Sequence, residues 1–267
     1  MSRVGALLTD ALEWPQRMPL ELRPGAGETL DSVCGGEVRV LQRRRGYRFT
    51  LDPVLLTHFA VFEAGAVRGR LMDLGTGCGI IPLILARRLG CGSVTGLELQ
   101  PRLFSLAERN VHLNRCEREV SLVQGDLRCV DRLFPKASFS YVLCNPPYRA
   151  REQGRISTDL EKALARHEIA CELQDVARSA AYLLRSRGSF CVVYPASRLS
   201  ELMAVLHAAR LEPRTARMVH SRAGRPAKLV LMHAVKGAPT GLTVLPPLVI
   251  HADDEQAFSR EVSAMVE

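Results

Sequence analysis

Short apolar runs that end at turns alternate along this chain with stretches of helical apolar spacing. The runs predict buried strands at 71–73, 93–98, 119–124, 139–144 and 188–194, and a closing strand pair at 216–219 and 228–234. The helical stretches lie between them, at 80–89, 101–113, 158–184 and 197–210. This alternation predicts an α/β fold in which helices cover both faces of a mostly parallel, seven-stranded sheet.

The first fifty residues follow a different pattern. Residues 1–30 are interrupted by prolines and glycines and predict a loosely ordered lead-in without chemistry. Segments 31–34 and 37–42 flank Gly35-Gly36, which predicts a β-hairpin with a two-residue turn.

A helix is predicted to follow the hairpin. Asp52 comes directly before Pro53 and an apolar stretch, an order typical of an N-cap followed by proline in the first helical turn. We therefore expect an N-terminal extension at 1–52, a main domain at 53–250 and a C-terminal tail at 251–267.

Three alternating glycines follow the first strand of the main domain, in Asp73-Leu-Gly75-Thr76-Gly77-Cys-Gly79. Glycine allows turn dihedrals and close backbone approach to a ligand, and a helix start offers free N–H groups. A dinucleotide-binding fingerprint would need glycine where Ile80 or Pro82 stands, so that fingerprint is absent. The run indicates a nucleotide-type cofactor site, with a ligand-free turn as the alternative.

Acidic residues end the next two strands. Glu98 lies about 20 residues past the glycine run, where an acid in nucleotide-binding folds accepts hydrogen bonds from ribose hydroxyls. Asp126 follows the third strand. Either acid can instead cap the helix that follows it.

The tetrapeptide Asn145-Pro146-Pro147-Tyr148 follows the fourth strand, at the edge where open α/β sheets bind ligands. A nitrogen attached to a flat, conjugated carbon is a poor nucleophile because its lone pair is delocalised. The Asn145 side-chain oxygen and the Pro146 carbonyl can each accept one N–H of such a nitrogen, and Tyr148 can stack on the flat substrate. The motif is therefore suited to hold an amino nitrogen for reaction by positioning, with Asn145, Pro146 and Tyr148 as catalytic candidates. A rigid turn alone would explain the prolines, but not their place after a cofactor motif.

Together these motifs resemble the amino-methylating branch of the class I methyltransferases that use S-adenosyl-L-methionine (SAM). The resemblance covers about residues 31–250 and implies a Rossmann-like fold. It implies that the glycine run packs on the methionine moiety, that Glu98 binds the ribose, and that Asp126 with an adjacent N–H binds the adenine edge. The cofactor-binding residues that it implies are Thr50, Asp52, Asp73, Gly75, Thr76, Gly77, Gly79, Glu98, Leu99, Asp126, Leu127 and Asn145.

Two flanking motifs narrow the resemblance. The spacing Gln42…Gly46-Tyr-Arg-Phe49…Asp52 and the triplet Arg166-His167-Glu168 are similar to the bacterial tRNA adenine-N6 methyltransferases that modify A37 of tRNA(Val). Guanine-N2 methylation of ribosomal RNA and N5 methylation of a protein glutamine stay open, because both acceptors present a similar amino group. The glutamine enzymes usually carry a helical N-terminal domain, which residues 1–52 do not predict. A non-catalytic RNA-binding protein is the remaining alternative.

The net charge of +8 permits a polyanionic partner, and most of the excess is arginine, which suits phosphate contacts. The alternative for each basic segment is a solvated or salt-bridged surface. The RNA-contact candidates are Arg43, Arg44 and Arg45, then Arg149, Arg151, Arg155 and His167 in and beside the loop after the NPPY motif, and Arg222 and Arg225.

The eight cysteines include no C-x-x-C pair, so we interpret them as reduced core residues and expect no metal. No apolar stretch has the length of a membrane span and the N-terminus lacks a signal pattern. We expect a soluble, cytoplasmic protein that does not contact membrane, and leave its oligomeric state open.

Overall fold

The computed structural model describes residues 19–45, 48–64, 68–146, 171–252 and 257–267. Its strands divide into an N-terminal hairpin and a central sheet. The hairpin contains β1 (Glu28–Val33) and β2 (Val38–Arg43). The sheet contains β3 (Leu71–Leu74), β4 (Val94–Glu98), β5 (Val120–Gln124), β6 (Phe139–Cys144), β7 (Leu184–Pro195), β8 (Leu211–His220), β9 (Ala227–Lys236), β10 (Thr243–Val244) and β11 (Leu248–Val249).

Among the described residues, the sheet has nine strands in the order β10-β8-β9-β7-β6-β3-β4-β5, with β11 also paired to β8. Strands β3 to β7 pair in parallel, whereas β9 runs antiparallel to both β7 and β8. The predicted α/β fold and its seven strands are therefore confirmed. The two added strands, β10 and β11, pair with the outer edge of β8.

The helices are α1 (Asp52–His58), α2 (Ile80–Leu83), α3 (Pro101–Asn114), α4 (Val130–Leu133), α5 (Leu173–Leu183), α6 (Leu199–Ala208) and α7 (Arg260–Val266). Single π-helical turns extend α1 through Glu63 and α2 through Arg88. Short 3₁₀ turns occupy Leu20–Leu22, Leu127–Cys129 and Ala196–Arg198. Of the helix predicted at 158–184, the part that the structure describes is α5.

Two hydrophobic clusters cover the two faces of the sheet. Alternate residues of β6 belong to different clusters, because successive strand side chains point to opposite faces: Tyr141 and Leu143 lie in one, Val142 and Cys144 in the other. All four residues of β3 are buried, as expected for a strand that is covered on both faces. Three of these residues are apolar, and the fourth, Asp73, is a buried carboxylate.

The prediction of a two-residue hairpin turn is wrong. The register runs from Glu28↔Arg43 to Val33↔Val38, which leaves the four residues Cys34–Glu37 in the turn. Cys34, Gly35 and Gly36 all have positive φ, and this left-handed run completes the reversal before Val38. Strand β1 also begins at Glu28, inside the segment predicted as a lead-in.

The predicted N-cap role of Asp52 is also wrong. Leu51 is the N-cap of α1, Asp52 is its first helical residue, and no side-chain cap hydrogen bond forms. Proline in the first turn fixes the start of the helix without a side-chain cap, because its missing N–H would be unpaired there in any case.

The C-terminal helix α7 packs on the main body and on the hairpin. Val262 and Met265 are buried in the first cluster. The N–H of Gly35 donates to the carbonyl of Val266 at 3.0 Å, and a Cβ on Gly35 would collide with the carbonyl oxygen of Glu267. The predicted domain boundaries stay a prediction. Among the described residues, no helix is both long and apolar enough to cross a membrane.

Candidate active site

The candidate residues come together because four strands end side by side. Leu74 of β3 is in register with Cys144 of β6 on one side and with Leu97 of β4 on the other. The chain leaves β3 toward β4 and β5, and later returns to the other side of β3 as β6. This is a topological switch point, where open α/β sheets bind their ligands at the carboxyl edge.

The glycine turn has the conformation that its sequence predicts. Gly75, Gly77 and Gly79 have φ values of +74°, +60° and +86°. Residues with a Cβ atom rarely adopt such positive values. The N–H groups of Gly75 and Thr76 both donate to the carbonyl of Leu97 at 2.9 Å. The turn is therefore fixed to the end of β4 before helix α2 begins.

Asp73 is a fully buried carboxylate beneath this turn. Within the described residues, neither of its oxygens has a hydrogen-bond partner, and the buried hydroxyl of Thr76 has none either. Burial raises the pKa of Asp73 to about 7, and the nearby charge of Glu98 adds to the rise. The Thr76 hydroxyl offsets part of it, although its geometry falls short of a hydrogen bond.

Buried polar groups without partners are rare in folded proteins and point to a missing donor. An ammonium group placed beside Asp73 would supply that donor and neutralise the buried charge. The amino-acid end of SAM carries such a group, so Asp73 and the glycine turn fit this cofactor.

Glu98 ends β4 and is 5% exposed. One of its oxygens accepts from the N–H of Gly77 at 2.9 Å, and the other accepts from the N–H of Gln100 at 2.8 Å. Burial raises the pKa of Glu98, and these backbone bonds counteract the rise. Each carboxylate oxygen has a second lone pair, so the group can still accept from two ribose hydroxyls. Its ribose-binding role stays a prediction.

Asp126 caps the 3₁₀ turn at Leu127–Cys129, which was the alternative to adenine binding. Its Oδ1 accepts from the N–H of Arg128 at 2.8 Å, and the Arg128 guanidinium contacts both oxygens. This hydrogen bonding to Arg128 lowers the pKa of Asp126. Leu99 and Leu127 are half-buried beside the two acids. The adenine-binding role of Asp126 and Leu127 stays a prediction. It requires the Asp126 carboxylate to accept from the adenine amino group as well as from Arg128.

Asn145 and Pro146 follow directly after β6, and Pro146 is buried whereas Asn145 is half-buried. The Cys144 thiol before them donates to the carbonyl of Leu74 at 3.1 Å, which links this strand end to β3. Several further candidates lie outside the described residues, so their roles stay predictions: Pro147, Tyr148, Arg149, Arg151, Arg155 and His167.

The described RNA-contact candidates lie in two basic segments, in which Arg222 is half-buried and the other arginines are exposed. Arg43, Arg44 and Arg45 are exposed at the end of β2. Arg222 and Arg225 line an open cleft of about 520 Å³ in the loop between β8 and β9. Because β8 runs in the same direction as β7, this loop lies at the same sheet edge as Asn145.

Thr50 lies between the hairpin and α1, and Asp52 is the first residue of α1. Thr50 is exposed, and its hydroxyl accepts from the N–H of Asp52 at 3.4 Å. Their predicted contact with the methionine end of the cofactor stays a prediction.

Sequence reasoning missed Asn110, a fully buried residue of α3. Its Oδ1 accepts from the N–H of Leu41 at 2.7 Å, and its Nδ2 donates to the carbonyls of Leu41 at 3.0 Å and Cys78 at 2.9 Å. It thus joins the hairpin, α3 and the glycine turn. The sequence does contain a signal for this role: Asn110 stands at a position of α3 where the helical period predicts an apolar side chain.

The eight cysteines are free thiols, and five of them are buried. Among the described residues, no group of three or more His, Cys, Asp or Glu side chains is arranged to hold a metal ion.

A central parallel sheet with a glycine turn after β3 and acids at the neighbouring strand ends defines a domain of the class I methyltransferase type. Residues 52–205, more than half of the chain, match the Methyltransferase small domain family, and the chain belongs to that family. The family resemblance predicted from the motifs is therefore confirmed.

Several curated relatives of the chain share one name. The tRNA1(Val) (adenine(37)-N6)-methyltransferase of Porphyromonas gingivalis is 29% identical over 178 residues, 66% of this chain and 66% of the relative. The protein of that name from Photobacterium profundum is 26% identical over 200 residues, 73% of this chain and 81% of the relative. The chain thus spans just under two thirds of the length of the first of these relatives.

Solved structures show the same fold. A predicted O-methyltransferase from Agrobacterium tumefaciens matches with a TM-score of 0.64 and 25% identity, over 80% of this chain and 94% of that one. TYW2 of Pyrococcus horikoshii, solved in complex with MeSAdo, matches with a TM-score of 0.54 and 16% identity, over 80% and 73%.

Proposed function

We propose that the protein is a SAM-dependent methyltransferase that modifies N6 of an adenine in tRNA, at position 37 of tRNA(Val). The observation that carries the proposal is the placement of Asn145-Pro146 at the end of β6, directly beside the strand that holds the buried, unpartnered carboxylate of Asp73. Its curated relatives bear the name of this activity.

The cofactor is held by the strand ends and the glycine turn. Asp73 binds the ammonium group, the turn from Gly75 to Gly79 packs on the methionine moiety, and Glu98 accepts from the ribose hydroxyls. Asp126 and the Leu127 N–H bind the adenine edge. SAM supplies, when bound, a methyl group on a positively charged sulfur.

Asn145 and Pro146 bind the acceptor amine. The side-chain oxygen of Asn145 and the carbonyl of Pro146 each accept one N–H, which orients the nitrogen lone pair toward the methyl group. Pro147 fixes the corner and Tyr148 stacks on the base. The acceleration comes from this orientation, so no strong base is required.

RNA is favoured over protein as the substrate by charge. Arg225 is exposed in the loop at the same sheet edge as Asn145, Arg43 to Arg45 are exposed at the end of β2, and the net charge is +8. Position 37 lies in the anticodon loop, where a base is partly unstacked and extrusion costs less. A tRNA-modifying role also agrees with the predicted cytoplasmic location.

Mass spectrometry of nucleosides tests the proposal. Total tRNA and rRNA from cells with and without the gene are digested, and the purified protein is then incubated with the undermodified RNA and SAM. We expect N6-methyladenosine to disappear from tRNA in the deletion and to return on incubation. Loss of N2-methylguanosine from rRNA would identify the guanine reaction instead. If the nucleosides are unchanged, mass spectrometry of proteins from the same cells follows, and loss of a methylated glutamine there would identify a protein substrate. Unchanged RNA and protein would overturn the enzyme assignment.

A further inference from the structure

A chain of buried amide contacts runs from the glycine turn to the segment that precedes α1. Its first part is Asn110, which donates to Cys78 in the glycine turn and both donates to and accepts from the backbone of Leu41 in β2. The end of the hairpin is thereby fixed to the turn.

Gln42, the next residue, continues this chain. Its side chain is 3% exposed, its Nε2 donates to Asp31 Oδ2 at 2.9 Å, and its Oε1 accepts from the N–H of Phe49 at 3.0 Å. Phe49 also packs against the first hydrophobic cluster. Gln42 therefore fixes the backbone one residue before Thr50.

Arg48 reinforces the same segment from the surface. Its guanidinium donates to Asp31 at 3.0 Å, to the Thr29 hydroxyl at 2.9 Å and to the carbonyl of Arg43 at 3.1 Å. The residues on either side of 46–47 are thus tied to the hairpin.

We propose that Gln42 is a positioning residue that, through Phe49, holds Thr50 and Asp52 at the cofactor site in fixed relation to the glycine turn. This inference rests on the proposed function, because it assigns Thr50 and Asp52 to the wall of a SAM site. An amide can donate to a carboxylate and accept from a backbone N–H at one place, and Gln42 does both here.

The hairpin has contacts other than those of Gln42 that hold it in place. Val38, Val40 and Leu41 bury it in the first cluster. A second amide, Asn114, binds β2 by accepting from the N–H of Arg39 at 2.9 Å and donating to its carbonyl at 2.7 Å. Gln42 contacts the segment after β2 through Phe49. Its loss should therefore weaken cofactor binding more than it lowers the stability of the fold.

Gln42→Leu with Asn114→Leu as the matched control tests this difference. Both substitutions remove a buried amide that contacts the hairpin and replace it with an apolar side chain of similar size. Calorimetric titration with S-adenosylhomocysteine measures the Kd, thermal unfolding measures the Tm, and tRNA methylation gives KM for SAM. We expect Gln42→Leu to raise Kd and KM about tenfold, and Asn114→Leu to lower the Tm while its Kd stays within twofold of wild type. Wild-type Kd and KM in Gln42→Leu would overturn the inference.

Arg48→Met keeps the test decisive if Gln42→Leu does not fold. Arg48 is exposed, so its replacement should change the Tm little, yet it should raise Kd several-fold if the segment is positioned. The double variant Asp31→Asn with Gln42→Glu reverses the donor and acceptor of one contact and keeps the acceptor for Phe49, so we expect it to recover part of the affinity. Unchanged affinity in Arg48→Met would count against the inference. Wild-type protein that binds no S-adenosylhomocysteine would overturn the proposed function itself, an outcome distinct from equal binding by wild type and variants.

Discussion

The N–H of Gly77 donates a hydrogen bond of 2.9 Å to the carboxylate of Glu98, across 21 positions of sequence. The acid that ends β4 thus helps to hold the middle of the glycine turn. Backbone N–H groups of Gly75 and Thr76 bind the carbonyl of Leu97 in the same strand end. Glu98, the proposed ribose-binding acid, and the turn therefore form one unit, and a change in Glu98 should affect both.

Glu98→Ala should weaken cofactor binding strongly. The substitution removes the acceptor for the ribose hydroxyls and leaves the Gly77 N–H without its partner. Hydrogen bonds to a charged group contribute about 1.5–3 kcal/mol, so we expect the Kd for S-adenosylhomocysteine to rise about tenfold to a hundredfold in calorimetry. Glu119→Ala, at the opposite edge of the sheet, is the control and should bind as wild type does. Equal affinities would contradict the assignment.

Cofactor affinity should rise with pH because of Asp73. Its pKa of about 7 lies above the ordinary value of 3.8, so the folded protein without cofactor binds this proton more tightly than the unfolded chain does. The stability of that form should therefore fall as the pH rises from about 4 to about 7. A bound ammonium favours the deprotonated carboxylate, so affinity should increase about tenfold between pH 6 and pH 8.

Asp73→Asn is the control for this pH dependence. It removes the titrating group and the negative charge, so we expect weaker binding of S-adenosylhomocysteine and a much flatter pH profile. It should also make the cofactor-free protein more stable at pH 8, because no buried charge is left unpaired. A wild-type affinity that does not change with pH, or a variant that keeps the full pH dependence, would contradict the role of Asp73.

The sequence predicted the features that local signals encode. Glycines mark the turn after β3, an acid marks the end of β4, and prolines mark the end of β6. Each marker lies within a few residues of an apolar run, so the sequence alone predicted these positions. Features that depend on distant contacts were not. Asn110 acts through bonds to Leu41, 69 positions away, and the hairpin turn is lengthened by positive φ at Cys34, a conformation that its residue type does not suggest.

Two-residue strands and the choice of capping residue also cannot be predicted from the pattern of apolar and polar residues. Strands β10 and β11 are too short to show alternation, and they form because β8 offers them a free edge. The sequence left two interpretations of Asp126 open, adenine binding and capping of the following helix. Only the position of Arg128 shows which contact Asp126 makes without a ligand.

Asn145→Ala should abolish methyl transfer and leave cofactor binding nearly unchanged. The substitution removes one of the two acceptors that orient the amine, and the loss of one such oriented hydrogen bond typically costs about a hundredfold or more in kcat. Calorimetry with S-adenosylhomocysteine and single-turnover methylation of tRNA measure the two effects separately. Asn145→Asp keeps an acceptor oxygen and should retain more activity than Asn145→Ala. Turnover at the wild-type rate in the alanine variant would remove the proposed mechanism.

Replacing Arg222 and Arg225 together by glutamine should weaken tRNA binding and reduce its salt dependence. Each phosphate contact contributes about 0.7–0.9 to the slope of log K against log salt concentration, so the slope should fall by about 1.4–1.8 if both residues contact RNA. Arg115 and Arg118 are exposed near the start of β5, at the opposite edge of the sheet, and their double glutamine variant is the control for net charge. Binding measured from low to moderate salt distinguishes a local contact from a general effect, because a general effect would lower both slopes equally. Equal slopes for the two double variants would therefore place the RNA elsewhere on the molecule.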